Sequence, residues 1–385
     1  AAELCAARAA AESDPTERAS HWFELGRLHA ERRSDIRAAK AAWTRSLDTE
    51  PTYAPALDSL ADLAYRERDL AAADALYARL PVNTSRLPPD VVMLRRAELA
   101  EALGDDARAL QLAQSAARLG PSRRDIYATC ARLAGKVGDL DAALRAARSG
   151  LELIVPDDIA ALTAARLELA ELCKRAGDTI GAVYYHELVV ADEPHHARSL
   201  EALADLYVER GNWAGAARAL KGLAATTLPP DRRAAIWYRL GELTLARLGD
   251  VAGADDAFLR AADLDPGHPP TLRRLVDVYW RAGDAAALVD VAQELASGGA
   301  LLESATTGAT LARVAIAGAA AGAMHLAGGV VRQLGADAPV RLAAALAERV
   351  GLTGELTLDA AVAAVRELAA RGHGPAPAAL TQAAA

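Results

Sequence analysis

The stretch that decides the fold runs from Trp237 to Pro266 and reads WYRLGELTLARLGDVAGADDAFLRAADLDP. Its apolar residues recur at helical spacing on both sides of a central Gly249-Asp250 pair. A glycine supplies the left-handed residue that ends one helix, and the Asp that follows can cap the next. The stretch therefore predicts two helices joined by a tight turn.

The same joint, a small or polar residue followed by Asp or Asn, recurs along most of the chain. Successive joints are 34, 36, 34, 39, 34, 38 and 34 residues apart. The joints are Ser34-Asp35, Arg68-Asp69, Gly104-Asp105, Gly138-Asp139, Gly177-Asp178, Gly211-Asn212, Gly249-Asp250 and Gly283-Asp284. A period of this length is typical of repeats built from helical hairpins. The eight joints predict eight hairpins, and no segment shows comparable support for strands.

The longer intervals each contain a Pro-Asp element. These elements are LPPD at Leu87–Asp90, VPDD at Val155–Asp158 and LPPD at Leu228–Asp231. Proline near the first helical position and Asp near the cap are typical helix starts, so each element predicts a slightly longer loop before a helix. These loops are either contact points for a partner or inherited insertions without a role.

The hairpins resemble tetratricopeptide repeats. In residues 237–266 the family's packing pattern is present as Trp237, Leu240, Gly241, Ala254, Phe258, Ala261 and Pro266. Residues 22–51 repeat it with Trp22, Leu25, Gly26, Ala39, Trp43, Ser46 and Pro51. Arg166 and Leu288 depart from the pattern, so hairpins five and eight are expected to shift locally. The resemblance implies an all-α, right-handed α-α superhelix of about eight hairpins.

The ends of the chain differ from its centre. Residues 1–15 read as the second helix of an earlier, truncated repeat, and residues 16–296 hold the eight hairpins. Residues 297–371 are rich in Ala and Gly and predict further helices, either degenerate repeats or a cap, and residues 372–385 predict a disordered tail. The opening Ala in place of Met indicates a fragment of a larger protein.

Composition and charge exclude several classes of function. A net charge of −8 and a pI near 5.6 exclude a nucleic-acid surface over the whole molecule, although a local basic patch stays open. The three cysteines form no pairs of metal-ligand or disulfide spacing, which favours a reducing cytoplasm. Only four of the 43 basic residues are Lys, a bias typical of bacteria of high GC content. Val314–Val331 is nearly uncharged but too rich in Ala and Gly to predict a membrane span.

No catalytic motif or cofactor motif is present in the sequence. It lacks a phosphate-binding glycine loop, HExxH and GxSxG, and we therefore expect neither an enzyme nor a bound cofactor or metal. His186, His195 and His196 are clustered, yet His195-His196 follows Pro194 in a turn, where solvated side chains are the simpler interpretation. Cys130 and Cys173 fall on core-facing positions, where buried, inert thiols are expected.

The resemblance also implies where a partner binds, because first helices line the concave groove in this family. Six of the eight residues at one recurring groove position are acidic and two are arginines. The acidic residues are Asp62, Glu98, Glu171, Asp205, Glu242 and Asp277, and the arginines are Arg27 and Arg132. Candidate anchors nearby are Tyr65, Tyr238, Trp280 and Arg281. An acidic groove favours a partner segment that carries Arg or Lys. The alternative is local, because Asp62–Arg66, Glu171–Arg175 and Asp277–Arg281 have the spacing of helix-stabilising ion pairs.

These features predict a protein–protein interaction scaffold that recognises a partner segment in its groove. Two alternatives stay open: a regulatory or sensor module of a larger enzyme or ATPase, and an envelope-associated secretion scaffold. The compartment is expected to be the cytoplasm, or the periplasm or envelope if a signal precedes Ala1. Self-association through the Ala-rich C-terminal helices is a further option.

Overall fold

The computed structural model describes residues 2–32, 35–81, 84–303, 305–350 and 352–375. These residues form α-helices and connecting loops, and no strand occurs among them. The chain divides into two compact units, residues 1–192 and 193–385. The predicted all-α fold of helical hairpins is thereby confirmed within each unit.

The first unit contains eleven helices among its described residues. They are α1 (Ala2–Ala11), α2 (Pro15–Arg32), α3 (Ile36–Thr49), α4 (Ala54–Arg66), α5 (Leu70–Arg79), α6 (Pro89–Ala102), α7 (Asp106–Leu119), α8 (Arg124–Val137), α9 (Leu140–Glu152), α10 (Ile159–Arg175) and α11 (Thr179–Asp192). Helix α1 packs against α2, and α2–α3, α4–α5, α6–α7, α8–α9 and α10–α11 pack as hairpins. Each hairpin also contacts the next, so apolar side chains are buried between neighbours.

The second unit contains ten α-helices among its described residues. They are α12 (Ala197–Glu209), α13 (Trp213–Ala224), α14 (Pro230–Leu243), α15 (Val251–Leu264), α16 (Pro269–Ala282), α17 (Ala285–Ser297), α18 (Gly308–Ala320), α19 (Met324–Leu334), α20 (Ala338–Glu348) and α21 (Leu358–Ala370). A π-helical turn, Thr244–Leu248, extends α14. Helices α12–α13, α14–α15 and α16–α17 form the predicted hairpins.

The joints have the backbone and the caps that the sequence predicts. The joint glycines from Gly104 to Gly283 all have positive φ, and Arg68 takes the same left-handed conformation with φ 62°. At all eight joints the Asp or Asn side chain accepts a hydrogen bond from the backbone N–H three residues later, at 2.8–3.2 Å. All eight joints therefore cap the helix that follows, and the seven from Arg68 to Gly283 also end the helix before them with a left-handed residue.

Small residues let the two helices of a hairpin approach closely. A Cβ atom added at Gly26 would lie 2.4 Å from the indole of Trp43, and one at Gly241 would lie 2.6 Å from the ring of Phe258. Ala61 occupies the corresponding place in the second hairpin and is fully buried. The small residue of the first helix therefore makes room for the large residue of the second.

The departures from the repeat pattern are accommodated locally. Arg166 stands where a large apolar residue is usual, and its guanidinium donates to the carbonyl of Leu188 at 3.2 Å and pairs with Asp192. Leu288 replaces a small residue and is fully buried. At the Pro-Asp elements, α6 and α14 begin at Pro89 and Pro230, whereas Asp158 caps α10.

Residues beyond Ser297, for which the sequence predicts either degenerate repeats or a cap, continue the hairpin architecture. Helices α18 and α19 form a ninth hairpin within the described residues, with Gly322 in the left-handed conformation at its turn. This turn divides the nearly uncharged stretch Val314–Val331 into two short helices. No described helix has the length and apolar character that crossing a membrane requires. Helices α20 and α21 pack against α18.

Arg349 fastens the connection between α20 and α21 to the eighth hairpin. Its side chain is 1% exposed and donates to the carbonyls of Trp280 and Leu356 at 2.6 Å and 2.5 Å. Burial lowers the pKa of this guanidinium. The N–H of Leu356 donates to the carbonyl of Gly283 at 2.7 Å, so the connection covers the end of α16.

The ends of the chain add two observations. Of the predicted tail, residues 376–385 lie outside the described residues, whereas the N–H of His373 donates to the carbonyl of Leu368 at 2.9 Å. The assignment of α1 to an earlier repeat stays a prediction.

Cys130 and Cys173 are buried as expected, and burial raises the pKa of the Cys130 thiol to about 11.

We expect substitutions at the joints to change stability through the backbone alone. A Cβ at Gly138, where φ is 90°, would meet no atom within 4 Å, so Gly138→Ala should cost about 1 kcal/mol from the left-handed conformation itself. Arg68→Gly should instead stabilise the chain by up to about 1 kcal/mol, since it relieves that strain. Urea titrations of both variants measure the difference, and equal effects of the same sign would contradict this account.

Gly241→Ala should destabilise the seventh hairpin by about 1–3 kcal/mol, because the added methyl overlaps the Phe258 ring. Gly267→Ala is the control, since its Cβ would lie 3.9 Å from the nearest atom and its φ is not positive. Thermal unfolding followed by circular dichroism compares the two. If Gly241→Ala melts at the same temperature as Gly267→Ala, the Phe258 ring does not lie against Gly241.

Candidate partner-binding surface on the first helices

The first helices of the hairpins carry the predicted site residues. In the first unit these helices are α2, α4, α6, α8 and α10, and in the second they are α12, α14, α16 and α18. Their apolar faces are buried against the second helices, and charged side chains remain on the opposite face. We call the exposed residues of these helices the first-helix surface.

In the first unit, Asp62 and Tyr65 belong to one polar network. The carboxylate of Asp62 pairs with Arg66 at 2.7 Å and with Arg95 at 3.1 Å. The guanidinium of Arg95 also stacks on the ring of Tyr65 at 4.8 Å, and the Tyr65 hydroxyl donates to Glu98 at 3.0 Å. Burial and the neighbouring Glu98 raise the pKa of Tyr65. This network connects α4 to α6.

Glu98 and Glu171 are exposed and form no ion pair with any described residue. Arg175, the predicted partner of Glu171, donates instead to the carbonyl of Gly135 at 3.3 Å. Glu168 lies one helical turn before Glu171 on α10 and is likewise exposed. These carboxylates are therefore accessible on the first-helix surface of the first unit.

In the second unit, three predicted acidic residues pair with arginines of the following hairpin. Asp205 accepts from Arg239 at 2.6 Å, and Glu242 binds Arg274 through two contacts of 2.5 Å and 2.7 Å. Asp277 pairs with Arg313. Burial raises the pKa of Asp277 despite the nearby arginines.

The candidate anchors of the second unit are less accessible than predicted. Trp280 is 2% exposed, because the connection held by Arg349 covers it, and we therefore remove Trp280 from the candidate surface. Arg281 pairs with Asp255 and not with Asp277. Tyr238 is half-buried against Phe258 and His268, and burial raises the pKa of its hydroxyl.

The arginines that pair with these carboxylates were missed in the sequence. Arg95, Arg239 and Arg274 each stand two residues after the first large residue of their hairpin, and they lie 33, 34 and 32 residues after their acidic partners. An Arg that stands about one repeat length after an acidic residue would have predicted these ion pairs from the sequence. Of the predicted ion pairs within a helix, Asp62–Arg66 is confirmed, whereas Asp277–Arg281 is wrong, since each residue has another partner.

Another inter-hairpin pair follows the same order, with its acidic residue on one hairpin and its basic partner on the next. Arg132 on α8 donates to Glu101 on α6 at 2.7 Å, and Lys136 joins Glu101 to Asp106. The hydrogen bond from Arg132 lowers the pKa of Glu101. Electrostatic contacts therefore connect successive hairpins in both units, and they pair four of the six predicted acidic groove residues, Asp62, Asp205, Glu242 and Asp277, with arginines.

A cleft of about 290 Å³ opens between the first two hairpins. Phe23 and Arg27 of α2 line one side, and Asp62, Leu63 and Arg66 of α4 line the other. The cleft thus offers apolar surface together with charges of both signs. Ile36 and Trp43 of α3 also line it, and Asp62 is the predicted site residue that it contains.

Of the clustered histidines, His196 has a structural role. The Nδ1 atom of His196 accepts the backbone N–H of Ser199 at 3.2 Å and caps α12. The described residues contain no group of three or more His, Cys, Asp or Glu side chains that could hold a metal ion.

The arrangement defines an all-α protein of tetratricopeptide-like hairpins. No protein-family model matches the sequence, and a comparison with curated proteins finds no match. Several tetratricopeptide repeat proteins are among the solved structures similar to this chain.

One is a tetratricopeptide repeat protein from Parabacteroides merdae, which is 20% identical with a TM-score of 0.34 over 64% of this chain and 93% of that chain. Another is YrrB, described as a TPR protein with an unusual peptide-binding site, at 16% identity and a TM-score of 0.31 over 61% of this chain and 98% of that chain. A third is the complex of Naa15 and Naa10 bound to HypK-THB, at 16% identity and a TM-score of 0.49 over 95% of this chain and 57% of that chain.

The inter-hairpin ion pairs should differ in their contribution to stability according to burial. The side chains of Asp277 and Arg313 are each 18% exposed, and Arg313 also pairs with Glu348 at 2.8 Å. Arg313→Gln leaves the largely desolvated Asp277 with the longer, 3.8 Å contact to Arg274 and should cost about 2–3 kcal/mol. Arg239→Gln removes a pair that is 43% and 57% exposed and should cost less than about 0.5 kcal/mol.

The loss in Arg313→Gln should grow as pH rises. The folded pKa of Asp277 is already raised, so its protonated form is favoured in the fold, and the stability this adds disappears as pH increases through that pKa. Urea titrations near pH 4 and pH 7 test this, with about 3.9 as the reference for an unfolded Asp. A loss independent of pH would mean that Arg313 acts through packing and not through the carboxylate.

Proposed function

We propose that this chain is a protein–protein interaction scaffold that binds a segment of a partner on its first-helix surface. The observation that carries the proposal is the cleft between α2 and α4. It combines Phe23 and Leu63 with the charges of Arg27, Asp62 and Arg66. Clefts of this kind accept apolar side chains and orient them with a few charged contacts.

The repeat architecture supports the same function. Each hairpin buries its apolar face against its neighbours, so a row of first-helix side chains stays exposed without further cost to the core. Such a surface suits an extended or helical segment that makes many small contacts. The proposed activity is therefore binding and not catalysis.

The partner segment is proposed to carry Arg or Lys. The carboxylates that support this are Glu98, Glu168 and Glu171, which are exposed and form no ion pair with described residues. Asp62, Asp205, Glu242 and Asp277 already pair with arginines, so a basic segment would have to displace those contacts. Recognition is consequently centred on α6 and α10 and on the neighbouring cleft.

The test uses a displayed library of random peptides of about 15 residues, panned against the whole chain. Peptides rich in Arg or Lys should be enriched on the parent, and Glu98→Lys with Glu171→Lys should weaken them on the order of tenfold, because like charges then face each other. Asp290→Lys with Glu294→Lys on α17 is the control, since it changes the net charge equally at exposed residues of a second helix.

A second variant tests the cleft. Ala30 lines its wall, and Ala30→Trp should block it while the circular dichroism melt stays close to that of the parent. Peptides that bind both the charge variant and the cleft variant as tightly as the parent would contradict the proposed surface. Enriched peptides without basic residues that are lost only with Ala30→Trp would keep the cleft and reject the basic partner.

A further inference from the structure

The second helix of the fifth hairpin, α11, has an exposed apolar side that the other second helices lack. Ile180 and Tyr184 are 66% and 54% exposed, and Leu188, one further turn along the helix, is half-buried. They stand two, six and ten residues after the joint residue Asp178, so they share one face of α11. The Tyr184 ring contacts Tyr185 edge-on at 5.2 Å, which leaves most of it open.

The other hairpins show what this position normally carries. Six residues after each of the other seven joints stand Ala, Ala, Gln, Arg, Arg, Asp and Asp, and two residues after them stand only Ala, Arg or Asp. The residues at the sixth position are Ala41, Ala75, Gln111, Arg145, Arg218, Asp256 and Asp290. Large apolar side chains at both positions are therefore peculiar to α11.

Three arginines on the neighbouring second helices have no acidic partner among the residues that the structure describes. Arg145 forms no ion pair with any described residue, Arg148 donates to the Tyr185 hydroxyl at 3.2 Å, and Arg118 donates to the Ser115 hydroxyl at 2.8 Å. Asp141 and Glu152 lie four residues from Arg145 and Arg148 on α9, yet neither pairs with them. On the first helices, by contrast, arginines are largely paired with carboxylates.

A cleft of about 200 Å³ lies between α7 and α9, beside Arg145. Its walls include Leu110 and Ala117 of α7 and Ala146 of α9, Tyr127 of α8 also lines it, and Arg145 contributes its charged side chain. The cleft is large enough for one apolar side chain, and Arg145 would contact an acidic residue next to that side chain.

We propose that the exposed faces of α7, α9 and α11 form a second binding surface, which takes an acidic amphipathic helix of a partner protein. One apolar residue of that helix enters the cleft between α7 and α9, further apolar residues cover Ile180 and Tyr184, and acidic residues contact Arg118, Arg145 and Arg148. Charge complementarity selects this occupant, because unpaired arginines in a chain of net charge −8 attract an acidic segment only locally. The apolar side of α11 distinguishes it from a phosphate backbone, which would need no such surface.

The test pans the displayed peptide library against the whole chain and removes peptides that also bind the Arg145→Glu, Arg148→Glu variant. The remaining peptides should combine Glu or Asp with Leu, Phe or Met at helical spacing. In fluorescence anisotropy a selected peptide should bind the variant on the order of tenfold more weakly, and more weakly still as salt increases. Tyr184→Ala should also weaken it, since part of its apolar contact is lost.

Arg218→Glu is the matched control. Arg218 is exposed at the same position of α13, without a large apolar residue at the second position after the joint, and its reversal should leave the peptide affinity unchanged. The Glu98→Lys, Glu171→Lys variant should also retain the peptide, which separates this surface from the first-helix surface. Circular dichroism melts show that each variant is folded.

Three results would overturn the proposal. The first is that no peptide distinguishes the parent from the Arg145→Glu, Arg148→Glu variant. The second is that the selected peptides lack acidic residues or lose no affinity with Tyr184→Ala. The third is a dimer in gel filtration that Tyr184→Ala abolishes, because the occupant of α11 would then be a second copy of the chain.

Discussion

The contact between a small residue of the first helix and a large residue of the second is the constraint on which the hairpins depend. Gly26 faces Trp43 and Gly241 faces Phe258 so closely that a single methyl group would overlap the ring. This approach sets the distance between the two helices, and the distance determines which side chains remain outside. The surfaces on first and second helices both follow from it, because each helix can bury only one face within its hairpin and against its neighbours.

Much of the fold is readable from the sequence because its determinants are local. A left-handed glycine and a capping carboxylate act within a few residues, so each joint can be recognised without knowledge of the rest of the chain. The ninth hairpin lies in the segment where the sequence left degenerate repeats or a cap open. Its joint was not recognised, because Gly322 is followed by Ala323, whose side chain cannot cap α19. Burial of Trp280 was not predictable either, since it depends on Arg349, 69 residues later in the chain.

The candidate surface was only partly readable, and the reason is electrostatic. The acidic residues that recur at one position suggested unpaired carboxylates. Whether each carboxylate is paired depends on the side chain that the next hairpin places beside it. Arg95, Arg239 and Arg274 neutralise carboxylates one repeat earlier, so charge had to be considered between repeats and not along one helix. On α9 the same consideration has the opposite result, because Arg145 and Arg148 have no acidic partner in the described part of the chain. In this chain, an exposed charged residue therefore indicates a binding site only if it forms no ion pair with a neighbouring hairpin.

The inter-hairpin ion pairs have a consequence for how such a chain can change its length. Arg239 contacts Asp205 of the hairpin before it, and Arg274 contacts Glu242 in the same way. Loss of the whole hairpin α14–α15 from the gene would bring Asp205 next to Arg274, and an acidic residue would again face an arginine. Matching depends on the two positions, an acidic residue on one first helix and an arginine on the next. It does not depend on which two hairpins supply them. Repeats of this kind can be added or removed while their junctions remain electrostatically matched.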